Sequence, residues 1–362
     1  MAKKIVVVGG VAGGASVAAR CRRLDEDAEI LVLERGEHPS YSNCSLPNFL
    51  SREVPTSDML LMMTPEKFKK QYNIEVRVLN EVTKIDPEKK CIEVKDLEKD
   101  KTYEEDYDEL VLATGADAVM PRSIKGIDLP QVFSLKDVAD VRGIDAYIKN
   151  HDAKKMVVVG GGFIGLEVVE HLKYAGYDVT LVEGQDQVMP PIDNDMAQIL
   201  HKVLYDAGVK LYLSETVEEI TEKEVILSSK KSIPADLVIM SIGVRPNTEL
   251  AKDAGIEIGT TGGIKVDHNY QTSAEHVYAV GDVIETHNFQ TGEPTRLALA
   301  GPAQRQARAC ANAIYGLPNH NKGVVGASVL RLFDFNCASV GLSERELKKR
   351  EIPYEVAFVL PF

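Results

Sequence analysis

One strand–glycine–helix–strand unit occurs twice in this chain, and that duplication limits the fold more than any other feature. Residues Ile5–Glu34 and Met156–Glu183 share a layout of apolar strand, glycine cluster, amphipathic helix, second apolar strand and terminal glutamate. In the later copy Val157-Val158-Val159 lead into Gly160-x-Gly162-x-x-Gly165, with Leu166, Val168, Val169 and Leu172 following at helical spacing. The strand Asp178-Val179-Thr180-Leu181-Val182 then ends in Glu183. A lone GxGxxG is a weak signal, but this full context is a specific dinucleotide-binding signature. Its glycines let backbone approach a pyrophosphate at a helix N-terminus, where N–H groups and the helix dipole favour anions. Copies this far apart mark a domain duplication, not a short solenoid repeat.

The first copy departs from the pattern. In Gly9-Gly10-Val11-Ala12-Gly13-Gly14 the middle position holds Val11, leaving Gly10 and Gly13 for the close approach, and Glu34 stands where the ribose-binding acid belongs. A tight turn in an α/β sheet is the plainer alternative for either cluster. Later segments echo each other too. Asp108–Gly115 and Asp236–Gly243 each read as a buried strand ending at glycine, and Thr272–Asp282 as a strand ending in Gly281-Asp282. The mixed-charge stretch Glu93–Glu109 reads as a solvated hairpin or loop.

At 362 residues the chain has room for two or three domains of about 150 residues. Its net charge of −13 argues against nucleic-acid binding, which rests on phosphate neutralisation. No apolar run approaches the ~18 residues of a membrane span. The apolar start Ile5–Val8 is cut short by Gly9-Gly10, so no signal peptide is read and a cytoplasmic location is expected. The five cysteines Cys21, Cys44, Cys91, Cys310 and Cys337 form no CxxC or CxxxxC pair, so neither a metal site nor an adjacent dithiol is expected.

The two fingerprints, the strand ending Ala113-Thr114-Gly115 and the strand Tyr278-Ala279-Val280-Gly281-Asp282 together resemble the FAD-dependent pyridine nucleotide–disulfide oxidoreductases. The resemblance covers nearly the whole chain. It implies an α/β protein with two Rossmann-like dinucleotide-binding domains, for FAD and NAD(P), plus the start of an α+β interface domain. Residues 1–114 and 245–322 would form a discontinuous FAD domain, 115–244 the NAD(P)H domain, and 323–362 part of a dimerisation domain. FAD would meet Gly9, Val11, Ala12, Gly13, Gly14, Glu34, Arg35, Asn43, Val82, Thr114, Gly115, Gly281, Asp282 and Ala300. NADH would meet Gly161, Gly162, Phe163, Ile164, Gly165, Glu167, Glu183 and Gly243.

Ser40-Tyr41-Ser42-Asn43-Cys44-Ser45-Leu46-Pro47 resembles the single-cysteine branch, specifically the coenzyme A disulfide and CoA-persulfide or polysulfide reductases. That resemblance implies electron flow from NADH through FAD to the catalytic Cys44, and on to a CoA disulfide, CoA persulfide or polysulfide. Pro47 suits a first helical turn, which puts Cys44 near a helix N-terminus, a place that favours thiolate. Ser16, Arg20, Arg23, Ser40 and Asn43 match positions that contact CoA in the family. Arg20 and Arg23 share one helix face, the alternative being a solvated basic face. Phe163 would cover the flavin or simply pack at the helix start. Glu167 would face nicotinamide and flavin or stand exposed in the first turn. Glu183 favours NADH over NADPH, since it would repel a 2′-phosphate and Gly184-Gln185-Asp186-Gln187 supplies no arginine.

Two other readings stay open: an NADH oxidase or peroxidase cycling Cys44 through sulfenic acid, and a non-catalytic flavoprotein or redox sensor. The segments Val324–Phe335 and Ala338–Leu342 read as opening strands of the interface domain, and the chain reaches Phe362 inside what reads as another strand. The family's interface domain runs further and supplies catalytic tyrosines across a homodimer. A homodimer is therefore expected of a full-length form, while a chain of this length is expected to dimerise poorly and to lack the proton donor for the leaving thiolate.

Overall fold

A computed structural model describes residues 2–319 and 323–359. The chain divides into two compact units. One comprises Met1–Ala118, Lys136–Arg142 and Val244–Val324; the other comprises Val119–Leu135, Gly143–Gly243 and Val325–Phe362.

The first unit is built on a five-stranded sheet in the order Val277–Ala279, Glu109–Leu112, Lys4–Val8, Glu29–Glu34, Glu75–Val78, all parallel. Ile5, Val6 and Val7 have no exposed surface, as expected of a β-branched run buried on both sheet faces. Val6 pairs with Leu31 on one side and Leu110 on the other, which lines up the strand ends that carry the glycine loop and Ala113-Thr114-Gly115. The helix Ala12–Leu24 packs along the helix Ala300–Ile314, and Val17, Ala18, Cys21, Ala307, Cys310 and Ala311 share the core. The mixed-charge stretch Glu93–Glu109 does form a hairpin, of Cys91–Asp96 with Lys101–Asp106, and with Asn80–Asp86 it makes an antiparallel three-stranded sheet.

The second unit repeats this plan. Its parallel sheet runs Lys210–Tyr212, Asp178–Val182, Lys155–Val159, Leu237–Met240, Val132–Ser134. An antiparallel sheet of Val217–Ile220, Glu224–Leu227 and Ser232–Pro234 again follows. The duplication thus extends to the antiparallel sheets, where alternating charged residues hide it from a glycine-based comparison.

From Val325 the chain packs within the second unit and does not form a separate body. Ser328–Leu332 and Phe335–Ser339 pair as a hairpin, and the helix Glu344–Lys349 starts at a capping box of Ser343 and Glu346. The further strand read near the C-terminus is not formed: residues 352–359 have no regular structure. A strand needs a hydrogen-bonded neighbour, and no described segment pairs with this one; the last three residues, 360–362, lie outside the described residues. Among the described residues no helix is long and apolar enough to cross a membrane.

Candidate functional site

The first glycine loop is held in place by its own backbone. The Gly9 amide donates to the Leu33 carbonyl at 2.8 Å, and Gly9 takes φ +99, where a Cβ would stand 2.2 Å from the Ala113 oxygen. Val11 precedes the helix Ala12–Leu24 without a side-chain cap, so the first-turn N–H groups, those of Ala12, Gly13 and Gly14, lie at a helix start with no side-chain partner. Glu34, buried, accepts from the Gly10 amide at 2.7 Å and the Gly36 amide at 2.8 Å. An ionised carboxylate has about four acceptor positions, so two remain for a ribose.

The other residues assigned to FAD gather in the same unit. Thr114 and Asn247 bond reciprocally: Thr114 Oγ1 donates to the Asn247 carbonyl at 2.8 Å, and Asn247 Nδ2 to the Thr114 carbonyl at 3.1 Å. Gly115 follows with open space at its Cα. The Gly281 amide donates to the buried Gln306 side chain at 2.8 Å. Burial pushes the Asp282 carboxyl above its ordinary range, opposed by the charge of Lys136. Ala300, exposed, opens the helix Ala300–Ile314, which also has no side-chain cap. Arg35 pairs with Asp117 at 2.7 Å. Val82 puts its side chain in the core, leaving only backbone for a ligand.

Cys44 lies exposed in a short 3₁₀ turn, Asn43–Ser45, that runs straight into the helix Leu46–Leu50 with Pro47 in its first turn. Leu46, Pro47, Phe49 and Leu50 are buried and anchor that turn. Upstream, Ser40 donates its amide to the Gly10 carbonyl at 3.0 Å, tying the cysteine segment to the glycine loop. The backbone of Ser40 and Ser42 is also bonded to Leu60, Met62 and Met63. Of the other four cysteines, Cys91 and Cys337 are half-buried, while Cys21 and Cys310 are buried, and burial raises the thiol pKa values of these two, that of Cys21 to about 12.

Four of the five residues assigned to CoA line one cavity of about 490 Å³: Ser16, Arg20, Arg23 and Ser40, with Asn43 outside the lining. The cavity adds Arg308, Gln304, Tyr72, Phe68 and Met63, which sequence reading missed. Gln304 and Arg308 lie four apart on one helix, a spacing that marks a shared face. Arg20 donates to Asn312 Oδ1 at 2.9 and 3.2 Å. Among the described residues no carboxylate lies within ion-pair reach of Arg20, Arg23 or Arg308, so three cations border a cavity in an acidic chain. Between them Arg22 is structural: among the described residues it donates to the carbonyls of Asp25, Glu26, Ala28, Tyr72 and Asn73.

The second unit builds its loop in the same way. The Gly160 amide meets the Val182 carbonyl at 2.8 Å, and Glu183 accepts from the Gly161 amide at 2.6 Å and the Gln185 amide at 2.8 Å. Gly162 precedes the helix Phe163–Tyr174 with nothing near its Cα, and Gly243 is open as well. Phe163 is half-buried at the helix start and Ile164 exposed. Glu167 is not the exposed first-turn acid of the plainer reading: burial and the nearby Glu170 raise its carboxyl to about 7. The loop after Glu183, which contains no arginine of its own, receives one from the C-terminal helix: Arg345 reaches Gln185, Asp186 and Gln187.

Comparison with known proteins gives the family and the fold. Residues 3–307 match the family described as pyridine nucleotide-disulphide oxidoreductase. Over 346 residues the chain is 34% identical to the coenzyme A disulfide reductase of Staphylococcus epidermidis, covering 95% of this chain and 78% of that protein. It is 38% identical over 355 residues to the NADH oxidase of Methanocaldococcus jannaschii, covering 97% and 78%. The structure superposes on the reduced CoADR-RHD of Bacillus anthracis with a TM-score of 0.96 and 45% identity, spanning 98% of this chain but 64% of that one.

Proposed function

The chain belongs to the pyridine nucleotide-disulphide oxidoreductase family, and from that premise we propose that it reduces a disulfide or persulfide of coenzyme A with NADH, through FAD and Cys44. The observation that carries this reading is the cavity bordered by Arg20, Arg23 and Arg308, which shares Ser40 with the Cys44 octapeptide. Guanidinium groups without carboxylate partners suit the phosphates of a nucleotide thiol.

The first unit fits FAD: a glycine cradle closed by its own backbone, uncapped helix starts, an acid with spare acceptor positions and a half-buried carboxyl at Asp282. Gly9–Gly14 would hold the pyrophosphate, Glu34 a ribose and Asp282 the ribityl chain. When bound, FAD supplies the two-electron relay between NADH and sulfur. The Cys44 thiolate attacks one sulfur of a CoA disulfide, forming a mixed disulfide and expelling one CoA thiolate. Two electrons then cleave the sulfur–sulfur bond of the mixed disulfide, returning the Cys44 thiolate and releasing the second CoA as its thiolate. One cysteine suffices because the other sulfur belongs to the substrate. Glu183 favours NADH over NADPH.

Intact mass of the purified chain, before and after reduction, tests the proposal. A reducible adduct of coenzyme A mass on Cys44, absent from Cys44→Ser, is expected; a bare chain would overturn it. Similarity to an NADH oxidase and the exposure of Cys44 favour a second reading with oxygen or peroxide as acceptor. That reading predicts added oxygen atoms at Cys44 instead.

A further inference from the structure

We propose that Arg345 is a positioning residue for the adenosine ribose of the coenzyme, fixing the loop that follows Glu183 from the C-terminal helix Glu344–Lys349. The inference rests on reading Glu183 as the ribose acid. Arg345 Nη1 donates to Gln185 Oε1 at 2.9 Å, and Nη2 to Asp186 Oδ1 at 2.9 Å and Gln187 Oε1 at 2.7 Å. One planar guanidinium therefore holds three consecutive side chains, a geometry that a lysine ammonium does not reproduce.

The grip is transmitted to Glu183 by backbone. Gln185 gives its amide to Glu183 Oε1 at 2.8 Å, so a shift of Gln185 moves the carboxylate that would meet the ribose. Gln187, with no exposed surface, is the buried end of the loop; its Nε2 donates to the Ile192 carbonyl at 3.0 Å and its Oε1 accepts from Asn194 at 3.2 Å. The helix that carries Arg345 is itself fixed: the Glu344 amide donates to Asp193 Oδ1 at 2.6 Å beside the Ser343–Glu346 capping box. Arg345 lies about 160 positions along the chain from the loop it holds. The segment from Val325 thereby joins the coenzyme site instead of serving only as the opening of a further domain.

The test compares ADP-ribose, which carries the adenosine ribose, with oxidised nicotinamide mononucleotide, which does not and cannot reduce the flavin. Calorimetric titration of the FAD-loaded protein should show Arg345→Ala raising the Kd for ADP-ribose about three- to tenfold, since the contacts are part-exposed. Arg345→Lys should show an intermediate loss, and it serves if the alanine variant folds poorly. The Kd for the mononucleotide should stay at its wild-type value. An unchanged ADP-ribose Kd in both Arg345 variants, with Glu183→Ala raising it, overturns the role of Arg345 alone. Equal losses for both ligands overturn it as well, by showing a general defect of the unit. No change in Glu183→Ala or Arg345→Ala would overturn the ribose-site reading and the inference with it.

Discussion

A Cβ built on Gly165 would stand 1.9 Å from the carbonyl oxygen of Gly160, and one on Gly14 would stand 1.8 Å from that of Gly9. The same close approach of helix to strand end therefore closes both glycine loops, whereas Gly162 between Gly160 and Gly165 has nothing within 4 Å. The outer glycine serves packing and the middle one leaves room for a ligand.

This difference separates two alanine variants. Gly165→Ala should destabilise the chain by about 1–3 kcal/mol or more, because the obstructing atoms are backbone. Gly162→Ala should melt within about 1–2 °C of wild type yet bind ADP-ribose weakly, because its methyl group occupies space left for pyrophosphate. Thermal melts paired with ADP-ribose titration check both; a large loss of stability in Gly162→Ala would contradict the assignment.

The arginines at the cavity give a second prediction. Arg20→Ala, Arg23→Ala and Arg308→Ala should each raise KM for CoA disulfide, by roughly tenfold for a charge-assisted contact worth about 1.5 kcal/mol. Reduction of bound flavin by NADH, followed by stopped-flow absorbance, should keep its wild-type rate. Arg22→Ala should act differently and lower stability by about 2–4 kcal/mol, since it strands several carbonyls near Tyr72 and Ala28. An Arg308 variant with an unaltered KM would remove it from the substrate contacts.

A third prediction concerns Glu183. Glu183→Gln keeps one amide-accepting oxygen but replaces the other with a donor that faces the Gly161 or Gln185 amide. The variant should lose about 1–2 kcal/mol of stability and discriminate less against NADPH, read as the ratio of kcat/KM values for the two coenzymes. An unchanged ratio would place coenzyme choice elsewhere.

The parts legible in the sequence were those set by local pattern. The Val157–Gly165 run encodes strand, turn and helix in adjacent residues, and both parallel sheets follow from two such runs with their closing strands at Leu110 and Val238. Arg20 and Arg23 were legible because helical spacing puts them on one face. Arg308, Asn247 and Arg345 were not, because their partners Thr114 and Gln187 and the cavity wall at Arg20 come from distant segments. Nothing in the residues around Arg345 indicates that a fold brings it to Gln187. The strand read toward Phe362 failed for a related reason: an apolar run becomes a strand only where an edge is available to pair with it.

Glu167 provides the pH prediction. Burial, with Glu170 nearby, raises its carboxyl from 4.5 to about 7 in the folded chain. The folded state therefore holds this proton more tightly than the unfolded state does. Glu167 costs no stability below about pH 4.5; the cost grows as pH rises toward 7 and is complete above it. At about 1.4 kcal/mol per pH unit, the rise from 4.5 to about 7 makes the penalty about 3–4 kcal/mol at pH 8. Glu167→Gln removes the titration, so it should be more stable than wild type at pH 8 by that order, with the advantage shrinking to under about 1 kcal/mol near pH 5. Denaturant melts of both proteins at the two pH values, without NADH, measure the difference directly. An advantage of equal size at both pH values would mean that Glu167 does not titrate in this window and that the variant stabilises the helix for another reason.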